Sequence, residues 1–231
     1  MSDAARPLEA SSAWAAAYPG AVAGVLVMRG VANPERHPEL DRRKTELEDR
    51  LRARFAGADR AVLAALPSIR PYAAYYGRYR KTYHVLLQLE SVALKGRPLA
   101  RGAALVEAMF MAELEHQLLT AGHDHDTIRG TVTLGVARGD ETYTLLGGHP
   151  QTVKAGDMTM ADGDGIISSV VYGPDDRTRI TADTRRALFA VYGPPGVEAV
   201  ALRRHLEALR ANIQVIAPDA EVEALDVLVA G

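Results

Sequence analysis

Residues 103–137 read AALVEAMFMAELEHQLLTAGHDHDTIRGTVTLGVA, and a change of pattern inside this stretch decides the fold class. Apolar residues first cover nearly the whole circumference of a helix, which predicts a buried helix from about Ala103 to Leu119, ended by Gly122. After Gly130 the segments become short and alternating or β-branched, a pattern that is typical of strands.

The half of the chain before this point is mainly helical. A valine-rich run from Gly20 to Val31 predicts one buried strand that pairs with a much later segment. The pattern of residues Pro38 to Leu66 predicts an amphipathic helix followed by a shorter helix. A further helix is predicted from about Tyr83 to Lys95.

The half after Gly130 contains six predicted antiparallel strands, a helix and a final strand. The strands are Thr131 to Ala137, Glu141 to Leu146, Asp157 to Ala161, Ile166 to Tyr172, Arg177 to Thr181 and Arg186 to Tyr192; the helix is Val197 to Ile213 and the last strand Glu221 to Val229. Helices first and strands later predict an α+β fold, and the length of 231 residues is ordinary for one domain over residues 1–231.

Composition excludes several classes of protein. The chain has no cysteine, so thiolate metal sites and cysteine nucleophiles are impossible. Its net charge of −2 argues against a surface that is cationic throughout, so we expect no DNA partner. No secretion signal is recognised in Met1 to Trp14 and no run of about 18 apolar residues occurs, so we expect a cytoplasmic protein without a membrane span.

Three acids lie on the predicted buried helix, namely Glu107, Glu113 and Glu115. A buried carboxylate needs a partner or a shifted pKa, and such groups gather at functional sites. Glu107 has the most apolar neighbours and is our candidate catalytic residue. The alternative is an internal salt bridge between Glu107 and a nearby arginine.

Two further polar groups have residue types that are typical of sites. His84, Gln88, Ser91 and Lys95 share one face of a helix, which either faces water or lines a pocket. The segment from His123 to Asp126 contains metal-ligand residue types, but no third ligand is identifiable. We therefore expect a turn with a capping aspartate, without a metal, and no cofactor motif is recognised.

The order of motifs resembles the free-standing form of the B3/B4 domain, the tRNA-editing domain of the phenylalanyl-tRNA synthetase beta subunit. The segments that carry the resemblance are Leu105-Val106-Glu107, Ala121-Gly122-His123-Asp124 before Ile128 and Gly130, Ala155-Gly156-Asp157, Ala161-Asp162, and Arg177 to Thr181 with Thr184. Together they place the core of the resemblance at about residues 72–192.

The resemblance implies helices packed on an antiparallel β-sandwich, with a pocket between the helical segment and the strands. In the synthetase this domain hydrolyses wrongly charged tyrosyl-tRNA, so the implied activity is deacylation of misacylated aminoacyl-tRNA by a positioned water. Glu107 stands where the synthetase pattern has an aspartate, and His84 joins it as a candidate catalytic residue. The expected pocket residues are Gln88, Phe110, Glu113, Ala121, His123, Tyr172, Gly173 and Ala190.

Departures from the family pattern concern polar pocket positions. Phe110 replaces an asparagine, Ala121 a histidine and Ala190 a glutamate. These changes favour a second hypothesis, a module that binds an amino acid, a small molecule or RNA without hydrolysis. A third, a structural or complex-forming protein, has no positive support.

A tyrosine-rich basic segment precedes the predicted helices, with five tyrosines and three cations within residues 72–84. Cations contact phosphates and aromatic rings stack on unpaired bases, so this segment is the candidate tRNA contact. Its candidate residues are Tyr75, Tyr76, Arg78, Arg80 and Lys81. The alternative is a tyrosine packing strip with cations that extend along it to solvent.

Overall fold

Helices and strands separate along the chain as the sequence pattern predicts. The computed structural model describes residues 7–231. The first six residues of the stretch Met1 to Trp14, in which no secretion signal is recognised, lie outside the described residues. In residues 7–231 the α-helices are α1 (Ser12–Ala17), α2 (Pro38–Arg54), α3 (Arg60–Ala64), α4 (Arg70–Gly77), α5 (His84–Leu89), α6 (Ala104–His116) and α7 (Ala199–Ile216). A π-helical turn, Glu90–Leu94, continues α5.

Eleven strands are found in the same residues. They are β1 (Leu8–Ala10), β2 (Val22–Arg29), β3 (Leu119–Asp124), β4 (Val132–Val136), β5 (Thr142–Thr144), β6 (Pro150–Thr152), β7 (Met158–Asp162), β8 (Gly165–Ser169), β9 (Gly173–Pro174), β10 (Arg186–Gly193) and β11 (Glu221–Val229). The α+β class is confirmed.

The strands form two main sheets and one hairpin. A four-stranded antiparallel sheet has the order β11-β2-β10-β3, so the early strand β2 pairs with two late strands. A five-stranded sheet has the order β1-β4-β7-β8-β9, and its β1–β4 pair is parallel. Strands β5 and β6 form the hairpin. Because β3 pairs with β10 alone, its other edge is open to the rest of the domain.

Helices α6 and α7 pack against each other and against the four-stranded sheet. At Gly24 on β2 a Cβ would lie 3.0 Å from Cδ1 of Leu206, so α7 approaches the strand closely only because this residue is glycine. One hydrophobic cluster joins both sheets and the helices, and it includes Trp14, which is 1% exposed and lies on α1 beside β4.

Two sequence-based assignments are wrong. The helix predicted to run to about Leu119 ends earlier, at His116, and Leu119 begins strand β3, because Gln117 adopts a left-handed conformation (φ +57°) that ends the helix. Residues 177–181 form a turn and not a strand. In this turn the N–H of Thr178 donates to Asp175 Oδ1 at 3.1 Å, and the carbonyl of Thr178 accepts from the N–H of Asp124 at 2.7 Å.

Within the described residues, no helix combines the length and apolar character needed to cross a bilayer.

Candidate active site

A cavity of about 430 Å³ lies between α6, the open edge of β3 and residues 169–174. We call it the α6–β3 cavity. Its lining is Tyr76, His84, Val106, Met109, Phe110, Glu113, Leu119, Thr120, Ala121, Gly122, Leu146, Ser169, Val170, Val171, Tyr172, Gly173, Pro174, Arg179, Ile180 and Tyr192. The size is suitable for a small ligand, and most of the wall is apolar.

Of the ten predicted catalytic and pocket residues, six line this cavity and four do not. Those in the lining are His84, Phe110, Glu113, Ala121, Tyr172 and Gly173, and those outside it are Gln88, Glu107, His123 and Ala190. Ala190 is enclosed in the sheet between β2 and β3. The buried ring of His123 points to the turn after β9, where Nδ1 lies 2.7 Å from Oγ1 of Thr178.

Glu113 is the one carboxyl group in this lining. Its side chain is 2% exposed, and Oε1 accepts a hydrogen bond of 2.7 Å from the N–H of Thr120. Burial raises the pKa of Glu113 from 4.5 to about 8, although the Thr120 hydrogen bond opposes the shift. In the described residues no cation forms a salt bridge with it and Oε2 has no hydrogen-bond partner. Glu113 is therefore mostly protonated at neutral pH.

His84 is exposed at the rim of the cavity, and its contact with Tyr76 favours one tautomer. The hydroxyl of Tyr76 donates to the carbonyl of Val170 at 2.5 Å, and its oxygen also lies 3.4 Å from Nδ1 of His84. Since that hydroxyl proton is already used, Nδ1 of His84 is assigned as the donor, which leaves Nε2 as an acceptor. The surrounding protein lowers the pKa of His84 by desolvation, so its imidazole is neutral near pH 7.

Glu107 does not reach the cavity, which corrects its assignment as a catalytic residue. Its Oε2 lies 2.5 Å from Nζ of Lys44 on α2, and its Oε1 accepts from the N–H of Gly102 at 3.2 Å. Both side chains of this ion pair are buried. The alternative of an internal salt bridge describes the arrangement, with a lysine in place of the expected arginine. Glu107 is six residues from Glu113, so the two carboxyl groups leave α6 on different faces.

Backbone groups of β3 supply polar atoms that the sequence analysis missed. The N–H of Thr120 donates to Glu113 and the N–H of Asp124 to the carbonyl of Thr178, so both point away from β10. N–H groups alternate in direction along a strand, so the N–H and carbonyl of Gly122 point the same way. No signal in the sequence marks this edge, because the pattern of residues 119–122 continues that of the helix before it.

The tyrosine-rich segment is largely internal, which corrects part of the predicted RNA contact. Tyr75 is 3% and Tyr76 2% exposed, and the hydroxyl of Tyr75 donates to Oδ1 of Asp157 at 2.6 Å. These two rings are not available for stacking on bases. The guanidinium of Arg78 lies 4.4 Å from the ring centre of Tyr75. The packing-strip alternative therefore describes the tyrosines.

The cations of this segment remain exposed, and one of them lies beside the cavity. Arg78, Arg80 and Lys81 are all exposed, and Nζ of Lys81 lies 4.1 Å from the ring centre of Tyr172. Because Tyr172 lines the cavity, Lys81 stands next to its rim. Arg179, also exposed, is part of the lining and pairs with Asp176 at 2.6 Å.

The segment from His123 to Asp126 leads from the last two residues of β3 into a short 3₁₀ turn that Asp124 caps. Oδ1 of Asp124 accepts from the N–H of Asp126 at 3.1 Å, as expected for a capping aspartate. Burial lowers the pKa of His123 to about 4. Within residues 7–231 no group of three His, Asp or Glu side chains is arranged to hold a metal ion.

Comparisons with known proteins agree on one relationship. Among solved structures the chain is similar to an N-terminal fragment of the phenylalanyl-tRNA synthetase beta subunit from Pyrococcus horikoshii, with a TM-score of 0.50 and 11% identity. The similarity covers 93% of this chain and 49% of the fragment, so the chain spans about half the fragment's length. No curated protein sequence matches.

The family model described as "B3/4 domain" matches residues 92–228, which is more than half of the chain. The match begins and ends later than the predicted core at residues 72–192, and it includes all but the last residue of β11, which pairs with β2. It contains α6, β3 and most of the cavity lining. The chain therefore belongs to the B3/4 domain family.

Proposed function

We propose that this protein hydrolyses the ester bond of misacylated aminoacyl-tRNA and that it acts in trans. The observation that carries the proposal is the position of Glu113, a buried carboxyl group without a cation partner in the described residues, which lines the α6–β3 cavity beside the open edge of β3. The related solved structure belongs to a tRNA synthetase subunit, which directs the choice of substrate towards tRNA. This function agrees with the cytoplasmic location expected above.

Glu113 is suited to the role of general acid. A group with a pKa near the working pH is protonated before the reaction and releases its proton readily during it. With a pKa of about 8, Glu113 meets both conditions. Its free Oε2 directs this proton into the cavity, where the ribose oxygen of the ester would leave.

His84 is suited to the complementary role of general base, because its neutral imidazole has Nε2 free to accept a proton. In the proposed step the oxygen of water bonds to the ester carbonyl carbon while the bond from that carbon to the ribose oxygen breaks. His84 takes one proton from the water and Glu113 gives its proton to the ribose oxygen. The amino acid and the tRNA leave, and the proton on His84 returns to Glu113 through solvent.

The rim supports an approach by the acceptor end of tRNA. Lys81 and Arg179 are exposed cations there, and cations bind phosphates. Arg80 is exposed next to Lys81 in the sequence, so the candidate RNA contact is now a patch of cations without stacking tyrosines.

The test is release of amino acid from a panel of misacylated tRNAs, with substrate in excess of the enzyme. We expect turnover of at least one substrate, and a loss of about 10² to 10⁴ in rate for E113Q. E115Q is the matched control, because Glu115 lies on the same helix but pairs with Arg50 at 3.1 Å on the surface. If no tRNA of the panel is hydrolysed faster than in buffer, the proposal fails.

A second candidate is a module that binds an amino acid without hydrolysis, and the apolar residues Phe110 and Ala121 favour it, since both line the cavity where the family pattern has polar groups. Thermal-shift measurements with free amino acids separate the two candidates. A ligand that raises the melting temperature of the wild type and of E113Q, with no deacylation by either, supports binding alone.

A further inference from the structure

On the open edge of β3 inside the cavity, one residue, Gly122, offers both its N–H and its carbonyl to a ligand. Gly122 lines the cavity, its N–H and carbonyl lie on the open side of β3 by the alternation along the strand, and within residues 7–231 neither has a partner on that side. On one flank the N–H of Thr120 is used by Glu113, and on the other the N–H of Asp124 is used by Thr178. A ligand that pairs with this edge therefore has room for a single residue.

An amino acid in extended conformation fits such an edge. Its amine and its carbonyl lie on the same side, and in an antiparallel pair both groups bond to one residue of the neighbouring strand. The N–H of Gly122 then donates to the carbonyl of the ligand, and the carbonyl of Gly122 accepts from the amine. This is the smallest form of strand addition to a sheet edge.

The antiparallel orientation also determines which end of the ligand meets Glu113. The carboxyl end of the ligand runs towards the start of β3, where Thr120 holds Glu113. The scissile ester is thereby brought towards the proton donor, and the N–H of Gly122 polarises the carbonyl that is attacked. The amine end runs towards Asp124, where the turn at Thr178 closes the edge at 2.7 Å.

The side chain of the ligand meets an apolar wall. Directly opposed residues of an antiparallel pair carry their side chains on the same face. A Cβ built on Gly122 would lie 2.9 Å from Cδ1 of Ile180 and 3.1 Å from Sδ of Met109, so these two side chains line that face of the strand. A ligand side chain on this face contacts Ile180 and Met109.

We propose that the cavity recognises the aminoacyl group through the backbone of Gly122, and that it takes residues with a free α-amine and an apolar side chain while it excludes N-acylated, peptidyl-type substrates. This inference rests on the proposed function and names the substrate class of the same site. The exclusion follows from the closed flank at Thr178, which leaves no space for an acyl group on the amine.

The test uses three amides that lack the labile ester: L-leucinamide, N-acetyl-L-leucinamide and 4-methylpentanamide, which has no amine. In titration calorimetry with the wild type, each modified amide should bind roughly tenfold or more weakly than L-leucinamide. For 4-methylpentanamide the cause is the loss of one hydrogen bond, and for N-acetyl-L-leucinamide it is a clash of the acetyl group. In a ¹⁵N–¹H correlation spectrum L-leucinamide should shift the amide signal of Gly122. Equal affinity for all three amides, no binding of L-leucinamide at about 10 mM, or an unmoved Gly122 signal would overturn the inference.

The outcome is separable from that of the deacylation assay. If misacylated tRNA is hydrolysed but the amine is not required, this inference fails and the proposed function stands. If L-leucinamide binds with the expected selectivity but no tRNA is hydrolysed, the mode of recognition stands and the catalytic function fails.

Discussion

The side chain of Lys44 reaches from α2 to α6 and ends 2.5 Å from Oε2 of Glu107. Both groups are buried, and Lys44 also lies 3.2 Å from Asp41. The pair gives the buried carboxylate of Glu107 a structural partner, while Glu113 on the same helix has no cation beside it in the part of the chain that the structure describes. This difference in partners separates a carboxylate that joins two helices from a carboxyl group that is free to react.

The first prediction concerns the Lys44–Glu107 pair. We expect K44M to lower the free energy of unfolding by about 3 to 5 kcal/mol, because it removes the cation that pairs with the buried side chain of Glu107. The double variant K44M/E107L should recover most of this loss. Urea unfolding measures both, with R42M as control, since Arg42 pairs with exposed Glu39 and Glu46. Equal stability of K44M and R42M would contradict the structural role.

The second prediction is a pH dependence caused by Glu113. Between about pH 4.5 and pH 8 the unfolded chain releases this proton while the folded chain keeps it, so stability from this group falls as the pH rises through that window. The loss is on the order of a few kcal/mol, at about 1.4 kcal/mol per unit of pKa shift. E113Q should flatten this slope in urea unfolding at a series of pH values, whereas E115Q should keep it. A slope unchanged in E113Q would refute the raised pKa.

The third prediction tests the space at Gly122. A Cβ there would lie 2.9 Å from Ile180 and 3.1 Å from Met109, so G122A should move the cavity wall at a cost of about 1 to 3 kcal/mol. We expect weaker binding of the aminoacyl group and slower deacylation. G135A is the matched control, because its Cβ would meet only Oγ1 of Thr159 at 3.4 Å. Full activity in G122A would show that the space is not used.

The fourth prediction concerns the cationic rim. The variant R80A/K81A should weaken binding of bulk tRNA and reduce the slope of log K against log salt by about one to two units, one for each phosphate that a cation no longer neutralises. R138A is the control, since Arg138 is also exposed but lies in the loop after β4, outside the cavity lining. Salt-dependent gel shifts measure the effect, and an identical slope in both variants would exclude the rim as the RNA-binding surface.

Much of the fold follows from the sequence because the periodic signals are strong. The buried helix α6 and strands such as β10 and β11 lie close to their predicted limits. Strand β3 was missed because no glycine or proline separates it from α6. Gln117 ends the helix in a left-handed conformation, which a glutamine does not predict. The turn at Thr178 was missed because its alternating pattern is typical of a strand, while its hydrogen bonds go to side chains and to β3.

The site was predictable in its residue types and not in its geometry. The sequence predicts that acidic residues of α6 are buried. Which of them, Glu107 or Glu113, lacks a cation partner depends on Lys44, which is 63 residues from Glu107 along the chain. The role suggested for Gly122 lies in its backbone, which residue types do not describe. Such groups become visible only when the strand and its open edge are known.

Trp14 is the single tryptophan of the sequence, and its burial on α1 beside β4 has a practical value for optical work. An indole in such apolar surroundings emits at short wavelength, and the emission moves to the red when water reaches the ring. Since Trp14 is not part of the cavity lining, we expect its fluorescence to follow unfolding of the structure around it and to change little when a small molecule enters the cavity. Ligand binding is therefore better measured by calorimetry or nuclear magnetic resonance, and unfolding by tryptophan fluorescence.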